Sequence, residues 1–515
     1  MKAQSSSPAA FRAEDFVRLG PSLAQETGDP RSEPNAALSK LLQAAGDLDR
    51  RPPLSPVVVG GGVRLLEAVI LAMLAGGLWL GHGSEDRVAT ALALTGVATT
   101  TTIAWGAMRL HALQVLRAPK AAFRRMMPSL VGIAGCGAAL AWWLGTAGAP
   151  RVVLLWGVVA LVAVLCERLA VAAGVAGLTR QGRFERRAAV VGGGPPGADL
   201  LEILALQSDP DLRVLGVFDD RNDARSPMIL AGYPKLGSVA DLVTFARRTR
   251  IDVIIFTLPI TAEDRLLQML KKLWVLPTDI RLAAHRSGLR FRPKSYSYVG
   301  GVPVLDMFDK PIADWDVIVK AIFDRIVGAL ALVALSPVLL LTALAIKLDS
   351  RGPVFFKQLR HGFNNEPVEV YKFRSLFADQ TDFAAAKQVT RNDPRVTRVG
   401  RFIRKTSLDE LPQLLNVVLK GNLSLVGPRP HALQAHLANK AYADVVDGYF
   451  ARHKVKPGIT GWAQVNGWRG ETDTPVKIQK RVEHDLAYIE NWSIFFDMYI
   501  LAITPWALTR TENAF

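Results

Sequence analysis

The sequence predicts a membrane protein in three parts: a four-helix transmembrane bundle, a Rossmann-like α/β domain, and a C-terminal α/β domain with a re-entrant membrane helix. Three observations carry this. Four apolar stretches crowd between residues 63 and 172. A strand, a glycine turn and a helix start follow at 187–200. An apolar run at 329–346, broken by Ser336-Pro337, then precedes a strongly cationic segment, with 18 Lys and Arg against 9 Asp and Glu between Arg351 and Thr460.

With 515 residues there is room for two to four domains. Half the residues are hydrophobic while 21% are charged, a mixture that suits membrane segments joined to water-facing domains. The net charge of +16 favours anionic partners such as phosphate-bearing substrates or anionic headgroups. Nucleic acid would also suit the charge, but no RRM, zinc or helix-turn-helix signature is present. The two cysteines, Cys136 and Cys166, lie in apolar runs and form no disulfide framework or zinc spacing. Residues 1–60 are rich in Ser, Pro, Ala and charge without periodicity, which predicts a flexible cytoplasmic tail with no secretory leader.

The bundle is expected over 61–175, with spans near Val63–Leu80, Val88–Met108, Pro128–Ala149 and Val152–Ala172. Such stretches can cross a hydrocarbon core of about 30 Å at 1.5 Å rise per residue. Arginines and lysines precede the first span (Arg50, Arg51, Arg64), separate the second from the third (Arg109, Arg117, Lys120, Arg124, Arg125) and follow the fourth (Arg180, Arg183, Arg186, Arg187). The loops at Gly81–Arg87 and around Pro150-Arg151 are short and nearly free of them. The positive-inside rule therefore places both ends of the bundle in the cytoplasm.

The Rossmann-like domain is expected over 185–300. Arg187-Ala-Ala-Val-Val-Gly-Gly-Gly-Pro-Pro-Gly-Ala-Asp-Leu200 sets Gly192, Gly194 and Gly197 in G-x-G-x-x-G spacing, and further strands fit Arg213–Phe218 and Val253–Phe256. These glycines suit the approach of backbone N–H groups to a nucleotide pyrophosphate at a helix N-terminus. They equally suit a purely structural turn, because Pro195-Pro196 removes two donors. A dehydrogenase or membrane-anchored nucleotide-sugar dehydratase would need Tyr-x-x-x-Lys, which no tyrosine here provides.

The run around 320–348 carries charges at both flanks and a proline at its centre, so a kink is expected. A full crossing would put the cation-rich remainder outside the cytoplasm, against the positive-inside pattern; entry and return through one face avoids this. Beyond it stands Asp409-Glu410, two adjacent carboxylates among cations. Such a pair is either salt-bridged structure or a metal-assisted catalytic dyad.

The motifs narrow the choice. Lys372-Phe-Arg-Ser375, Arg404 with Ser407-Leu-Asp-Glu-Leu-Pro-Gln413, Ser424-Leu-Val-Gly-Pro-Arg-Pro430 and Lys456-Pro-Gly-Ile-Thr-Gly-Trp-Ala-Gln-Val465 resemble the bacterial polyprenol-phosphate phosphoglycosyl transferases. The monotopic catalytic domain of that family corresponds to 315–515, and the whole chain resembles its large members. His431-Ala, Gly467-Trp-Arg-Gly-Glu-Thr-Asp-Thr474 and Asn513-Ala-Phe515 point toward undecaprenyl-phosphate glucose phosphotransferases of colanic-acid-type exopolysaccharide and capsule synthesis.

The resemblance implies transfer of glucose 1-phosphate from a UDP-sugar to undecaprenyl phosphate, with galactose 1-phosphate second. It implies Asp409 as covalent nucleophile, Glu410 as ligand to Mg²⁺, and Lys372, Arg374, Arg404 and Arg429 on phosphates. Gln464, Asn466, Trp468 and Arg469 are candidates for the uridine or sugar pocket, and Trp468 equally suits an anchor at the membrane interface. Implied surroundings are the bacterial inner membrane, a homo-oligomer and downstream glycosyltransferases. Asp485 and Asp497 are expected to be structural, and His361, His431 and His453 to be solvated or capping.

Overall fold

The computed structural model describes residues 52–509 apart from 82–86, 147, 208, 222–225, 259–262, 284–296, 300–301, 381–392, 432–435, 438–439, 443–445, 447 and 471–473. The expected flexible tail thus lies outside the described residues, except for its last few positions. The chain forms two compact units, 51–186 and the remainder.

The first unit packs four long helices: α1 (Pro56–Gly81), α2 (Arg87–Ala107), α3 (Pro119–Trp143) and α4 (Ala149–Arg180). Their shared core holds Leu71, Leu94, Trp105, Met126, Leu130, Val153 and Trp156. Small residues allow close approach. A Cβ on Gly137 would sit 2.4 Å from Val97 Cγ2, so a larger residue there must push α2 and α3 apart.

Several boundaries differ from expectation: α1 begins at Pro56, before Val63, and α4 runs on to Arg180, past Ala172. Helix α3 begins nine residues before Pro128, because Lys120, Arg124 and Arg125 continue the helix as a charged stem that hydropathy alone does not see. It ends at Trp143, where Gly145 adopts φ 74°. Pro150-Arg151 lies inside the first turn of α4, a position where proline's missing N–H costs nothing. Among the described residues, five helices are long and apolar enough to cross a membrane: these four and the long helix described below.

Charge is buried in the bundle. Glu67 on α1 meets Arg168 Nε on α4 at 2.6 Å and His111 Nε2 at 2.6 Å, and Glu167 lies beside Arg168. Arg168 also donates to the Leu110 carbonyl. One buried ionic cluster thereby ties α1, α4 and the α2–α3 connection.

The second unit opens with an eight-stranded sheet. Its strands are β1 (Arg186–Val191), β2 (Leu212–Phe218), β3 (Ile229–Leu230), β4 (Tyr233–Gly237), β5 (Val253–Phe256), β6 (Asp279–Ala283), β7 (Ser297–Val299) and β8 (Val302–Phe308). The order is β3-β4-β2-β1-β5-β6-β8-β7. The β4-β2-β1-β5-β6 part is the doubly wound arrangement of Rossmann-like domains, with the strand order reversing between β1 and β5. Helices α5 (Pro195–Gln207), α6 (Val239–Arg248) and α7 (Glu263–Leu273) cover it. Strand β5 is buried at all four residues, as a central parallel strand must be.

Helix α8 (Asp314–Asp349) is 36 residues long, about 54 Å at 1.5 Å per residue. It continues through Ser336-Pro337 as one helix, and Ser336 Oγ donates to the Val333 carbonyl. Its N-terminal third is fastened to the C-terminal domain: Lys320 Nζ lies 2.6 Å from Asp497 Oδ2, and Asp324 accepts from Leu425 N. Its C-terminal third packs Leu339, Ala343 and Ile346 against Phe373 and Ile403. Leu330, Val333, Leu340, Leu341 and Leu344 point outward and are exposed. The remaining frame is the hairpin β9 (Phe355–His361) with β10 (Pro367–Phe373), helix α9 (Arg398–Thr406), the parallel pair β11 (Ser424–Val426) and β12 (Gly458–Thr460), and helices α10 (Pro475–Glu490) and α11 (Ile494–Thr509).

Candidate active site

The carboxylate pair sits on a tight turn whose entry and exit are both pinned. Helix α9 is capped by Thr397, whose Oγ1 accepts from Gly400 N. It ends at Ser407, which adopts the left-handed φ of 57°. A non-glycine residue there is strained, which suits a turn held by its surroundings. Leu408–Glu410 then form a single 3-10 turn. Downstream, the fully buried Asn416 accepts from Tyr371 N and donates to the Glu369 carbonyl, fixing the chain to β10.

Two cations from other motifs converge on Glu410. Lys372 Nζ, from the end of β10, is 2.7 Å from Oε1. Arg429 follows β11 and grips both oxygens, with Nη2 at 2.5 Å from Oε1 and Nη1 at 3.0 Å from Oε2. The two-pronged contact uses the planar fork that lysine lacks. Gly427 is required beside it: a Cβ there would lie 2.6 Å from the Lys456 carbonyl. Arg360, on β9, joins the group unannounced by any motif; its Nη1 donates to the Pro430 carbonyl at 2.6 Å.

The two carboxyls are driven apart electrically. Burial would raise Glu410, but Arg429 and Lys372 outweigh it and hold the carboxyl well below the usual range. Burial dominates at Asp409; with Glu410's charge it outweighs Lys372, Arg404 and Arg429 and pushes the carboxyl up. Burial, then repulsion from Arg429, brings Arg360 down to about 10. Neighbouring carboxyls with opposed shifts are a mark of divided acid–base roles. Asp409 accepts no hydrogen bond among the described residues, so one carboxylate is committed to cations and the other is left open.

Other expected site residues scatter. Arg469 lies within the field of Arg429, Glu410 and Asp409. Arg404 acts on Asp409 by charge from the last turn of α9. Arg374 is not on the carboxylates: its guanidinium donates to the Ser350 and Arg351 carbonyls, because it lies past the end of β10 where the chain meets the end of α8. Asn466 is exposed and bonds back to the Trp462 carbonyl within its own turn. Gln464 donates to the Ile459 carbonyl and has a buried Oε1 without a partner.

The histidine expectation needs correcting. His431 and His453 are buried, not solvated. His431 Nδ1 meets Tyr449 OH at 2.6 Å, and His453 bonds Asn365 Oδ1. In the fold both pack among aromatic rings, His431 against Tyr442 and Tyr449 and His453 against Tyr449 and Phe450, which favours burial over capping. Asp485 pairs with buried Arg452 and Asp497 with Lys320, as structural carboxylates do.

Magnesium asks little of a protein, taking one or two carboxylates and completing its shell with substrate phosphates and water. Lys372 and Arg429 occupy three of the roughly four lone-pair directions of Glu410, leaving one, and Asp409 is open beside it. The residues present therefore fit such an ion.

The glycine turn of the middle domain is occupied from within. Gly192 N donates to the Phe218 carbonyl and Gly193 N to Asp219 Oδ2 at 2.7 Å. Gly192 has φ 119°, and a Cβ there would sit 2.4 Å from Thr257 Oγ1. Asp219, paired with Arg221, thus stands where a phosphate would receive the Gly193 donor, and the prolines at 195 and 196 offer none. Gly194 and Gly197 close the turn on each other through a 2.9 Å hydrogen bond. These residues do not fit a pyrophosphate in this arrangement.

Comparison with known proteins bears on both the middle and the C-terminal domain. The family described as Bacterial sugar transferase matches residues 315–511, and a CoA-binding domain matches 110–284. The chain is 41% identical over 325 residues to a Klebsiella pneumoniae protein described as UDP-glucose:undecaprenyl-phosphate glucose-1-phosphate transferase, covering 63% of this chain and 68% of the relative. A protein of the same description from Escherichia coli K12 is 38% identical over 354 residues, 69% of this chain and 74% of its own length. An exopolysaccharide production protein of Rhizobium leguminosarum bv. phaseoli is 48% identical over 186 residues, 36% of this chain and 92% of its own. With its carboxylate turn, converging cations and long apolar helices, the chain belongs to the bacterial sugar transferase family of polyprenol-phosphate phosphoglycosyl transferases.

Proposed function

We propose that this enzyme transfers glucose 1-phosphate from UDP-glucose to undecaprenyl phosphate through a covalent phosphoglucose on Asp409, releasing UMP. The observation that carries the reading is the split at the carboxylate turn: Glu410 is held by Lys372 and Arg429, while Asp409 accepts no hydrogen bond from the described residues. An unbonded carboxylate is available as a nucleophile. The names of the relatives favour glucose over galactose.

In the first step an Asp409 oxygen bonds to the sugar-bearing phosphorus, and the bond from that phosphorus to the bridging oxygen breaks. UMP leaves with both electrons. In the second, an oxygen of the lipid phosphate bonds to the same phosphorus and the aspartyl carboxylate is released. The product is undecaprenyl diphosphate-glucose. Arg429, Lys372, Arg360 and Arg469 supply fixed positive charge against which the diphosphate is oriented and the departing UMP stabilised. Mg²⁺, held by Glu410, would add charge neutralisation on the diphosphate.

Topology follows the same reading. Both flanks of α8 are fastened to one C-terminal domain while an apolar face stays exposed along its length. That supports insertion of α8 into one leaflet side without crossing, with the four preceding helices spanning the inner membrane and the Rossmann-like and catalytic domains, near 185–300 and 315–515, in the cytoplasm. Undecaprenyl phosphate then presents its headgroup at the surface where UDP-glucose dissolves.

The test is UMP release by purified protein with Mg²⁺, UDP-glucose and undecaprenyl phosphate, together with intact-mass measurement after omission of the lipid. The expected results are UMP release, loss of it in Asp409→Asn and with EDTA, and a phosphohexose adduct on the wild type only. Release of UDP, or full turnover by Asp409→Asn, would refute the reaction.

A further inference from the structure

Arg452 has no exposed surface, yet the reaction assigns it nothing. It lies on the 3-10 turn Tyr449–Lys454 between the catalytic and middle domains. Its guanidinium is anchored by Asp485 on α10, with Nη2 at 2.5 Å and Nε at 3.0 Å from Oδ2. Nη1 lies 2.8 Å from His431 Nδ1. Nη2 also donates, at 2.8 Å, to the backbone carbonyl of Arg429, the residue whose side chain grips Glu410. Proline on each side of Arg429 leaves its backbone few ways to move independently of that bond.

The opposite face of the turn is gripped by the middle domain. Arg247 stacks its guanidinium 4.6 Å from the Phe450 ring, and Lys454 lies 5.5 Å from Trp274 and 5.8 Å from Phe308. Asn364, next to the partner of His453, donates to the Ala246 carbonyl at the end of α6. Gly448, which opens the turn, has φ 75°, and a Cβ on it would lie 2.1 Å from Trp274 Cζ2. The glycine is therefore demanded by the contact with the middle domain as well as by the backbone.

We propose that Arg452 and Asp485 are the positioning pair for Arg429, and that the middle domain serves the reaction by clamping the turn that carries Arg452. This assigns the Rossmann-like domain a mechanical task that needs no bound nucleotide, in keeping with its self-occupied glycine turn. The two faces of one six-residue turn give a short physical connection: Trp274 and Arg247 on one side, Arg429 and then Glu410 on the other. The inference rests on the reaction proposed above.

The experiment measures UMP release, with kcat and the KM for each substrate, for full-length wild type, Asp485→Asn, Asp485→Glu, Trp274→Ala and Gly448→Ala. Asp485→Asn should lower kcat at least tenfold with the KM for undecaprenyl phosphate unchanged, because a displaced Arg429 no longer grips Glu410; Asp485→Glu should recover part of the loss. Trp274→Ala, a half-buried residue of the middle domain, should lower kcat about threefold, again with that KM unchanged. Gly448→Ala should do the same more strongly. Wild-type kcat in a folded Asp485→Asn would overturn the positioning pair. Wild-type behaviour of both Trp274→Ala and Gly448→Ala would overturn the clamp, and these two decide the matter if Asp485→Asn does not fold. Absence of UMP release from the wild type would instead defeat the underlying reaction.

Discussion

Replacing Arg429 by lysine isolates what the guanidinium fork contributes. The charge is kept, but a single ammonium cannot reproduce contacts at 2.5 Å and 3.0 Å to the two oxygens of Glu410. One charge-assisted hydrogen bond is lost, a deficit of about 1.5–3 kcal/mol for such a group. The Arg429 and Glu410 side chains are 23% and 12% exposed, so solvent screening moves the expectation to the lower end. A loss near 1.5 kcal/mol corresponds to roughly tenfold in kcat/KM. Arg429→Ala removes the charge as well and should cost about a hundredfold or more, because Glu410 is left with Lys372 alone. The assay is UMP release at saturating undecaprenyl phosphate with UDP-glucose varied, alongside a melting curve to exclude unfolding. Arg429→Lys within twofold of wild type would refute the claim that the two-pronged grip matters. Arg429→Lys worse than Arg429→Ala would refute the assignment of its role to charge.

Further outcomes follow from the same geometry. Asp409 works ionised and its carboxyl is raised, so turnover should be present above that raised value and lost as pH falls through it, giving an acid limb above the usual aspartate range. Arg404 opposes the rise; Arg404→Ala should therefore move the limb to higher pH, and a downward move would contradict the assignment. Arg168→Ala leaves the buried carboxylate of Glu67 with His111 alone, beside Glu167, and should cost about 3 kcal/mol, read as a lower Tm in detergent; an unchanged Tm would refute the ionic tie between α1 and α4. Gly192→Ala forces a side chain into φ 119° against Thr257, so proteolysis within the middle domain should accelerate, and wild-type resistance would show that the turn can open.

What could be read from the sequence was what is encoded locally. The glycine spacing after β1 and the apolar run at Val253–Phe256 place the β1–β5 centre of the sheet, and the Asp409-Glu410 turn with its flanking motifs places the chemistry. Where α3 begins could not be read, because Lys120, Arg124 and Arg125 interrupt hydropathy without interrupting the helix. Arg360 and Arg452 were invisible for a different reason: one lies in a hairpin with no motif, the other in a cationic stretch where any of several residues might turn inward. Their importance comes from partners about seventy and thirty residues away, Pro430 and Asp485. Arg374 shows the reverse failure, since membership of a motif did not say which of its two cations reaches the carboxylates.

Fastening α8 at both flanks has a kinetic corollary. If the catalytic turn rides on a helix embedded in the lipid, one substrate reaches it through a volume and the other only by sliding within a plane. Encounter with the lipid acceptor then scales with its mole fraction among the surrounding lipids, not with the amount added per litre. Diluting undecaprenyl phosphate with inert phospholipid at constant total acceptor should slow turnover, while diluting the vesicles in buffer should leave the second half-reaction untouched.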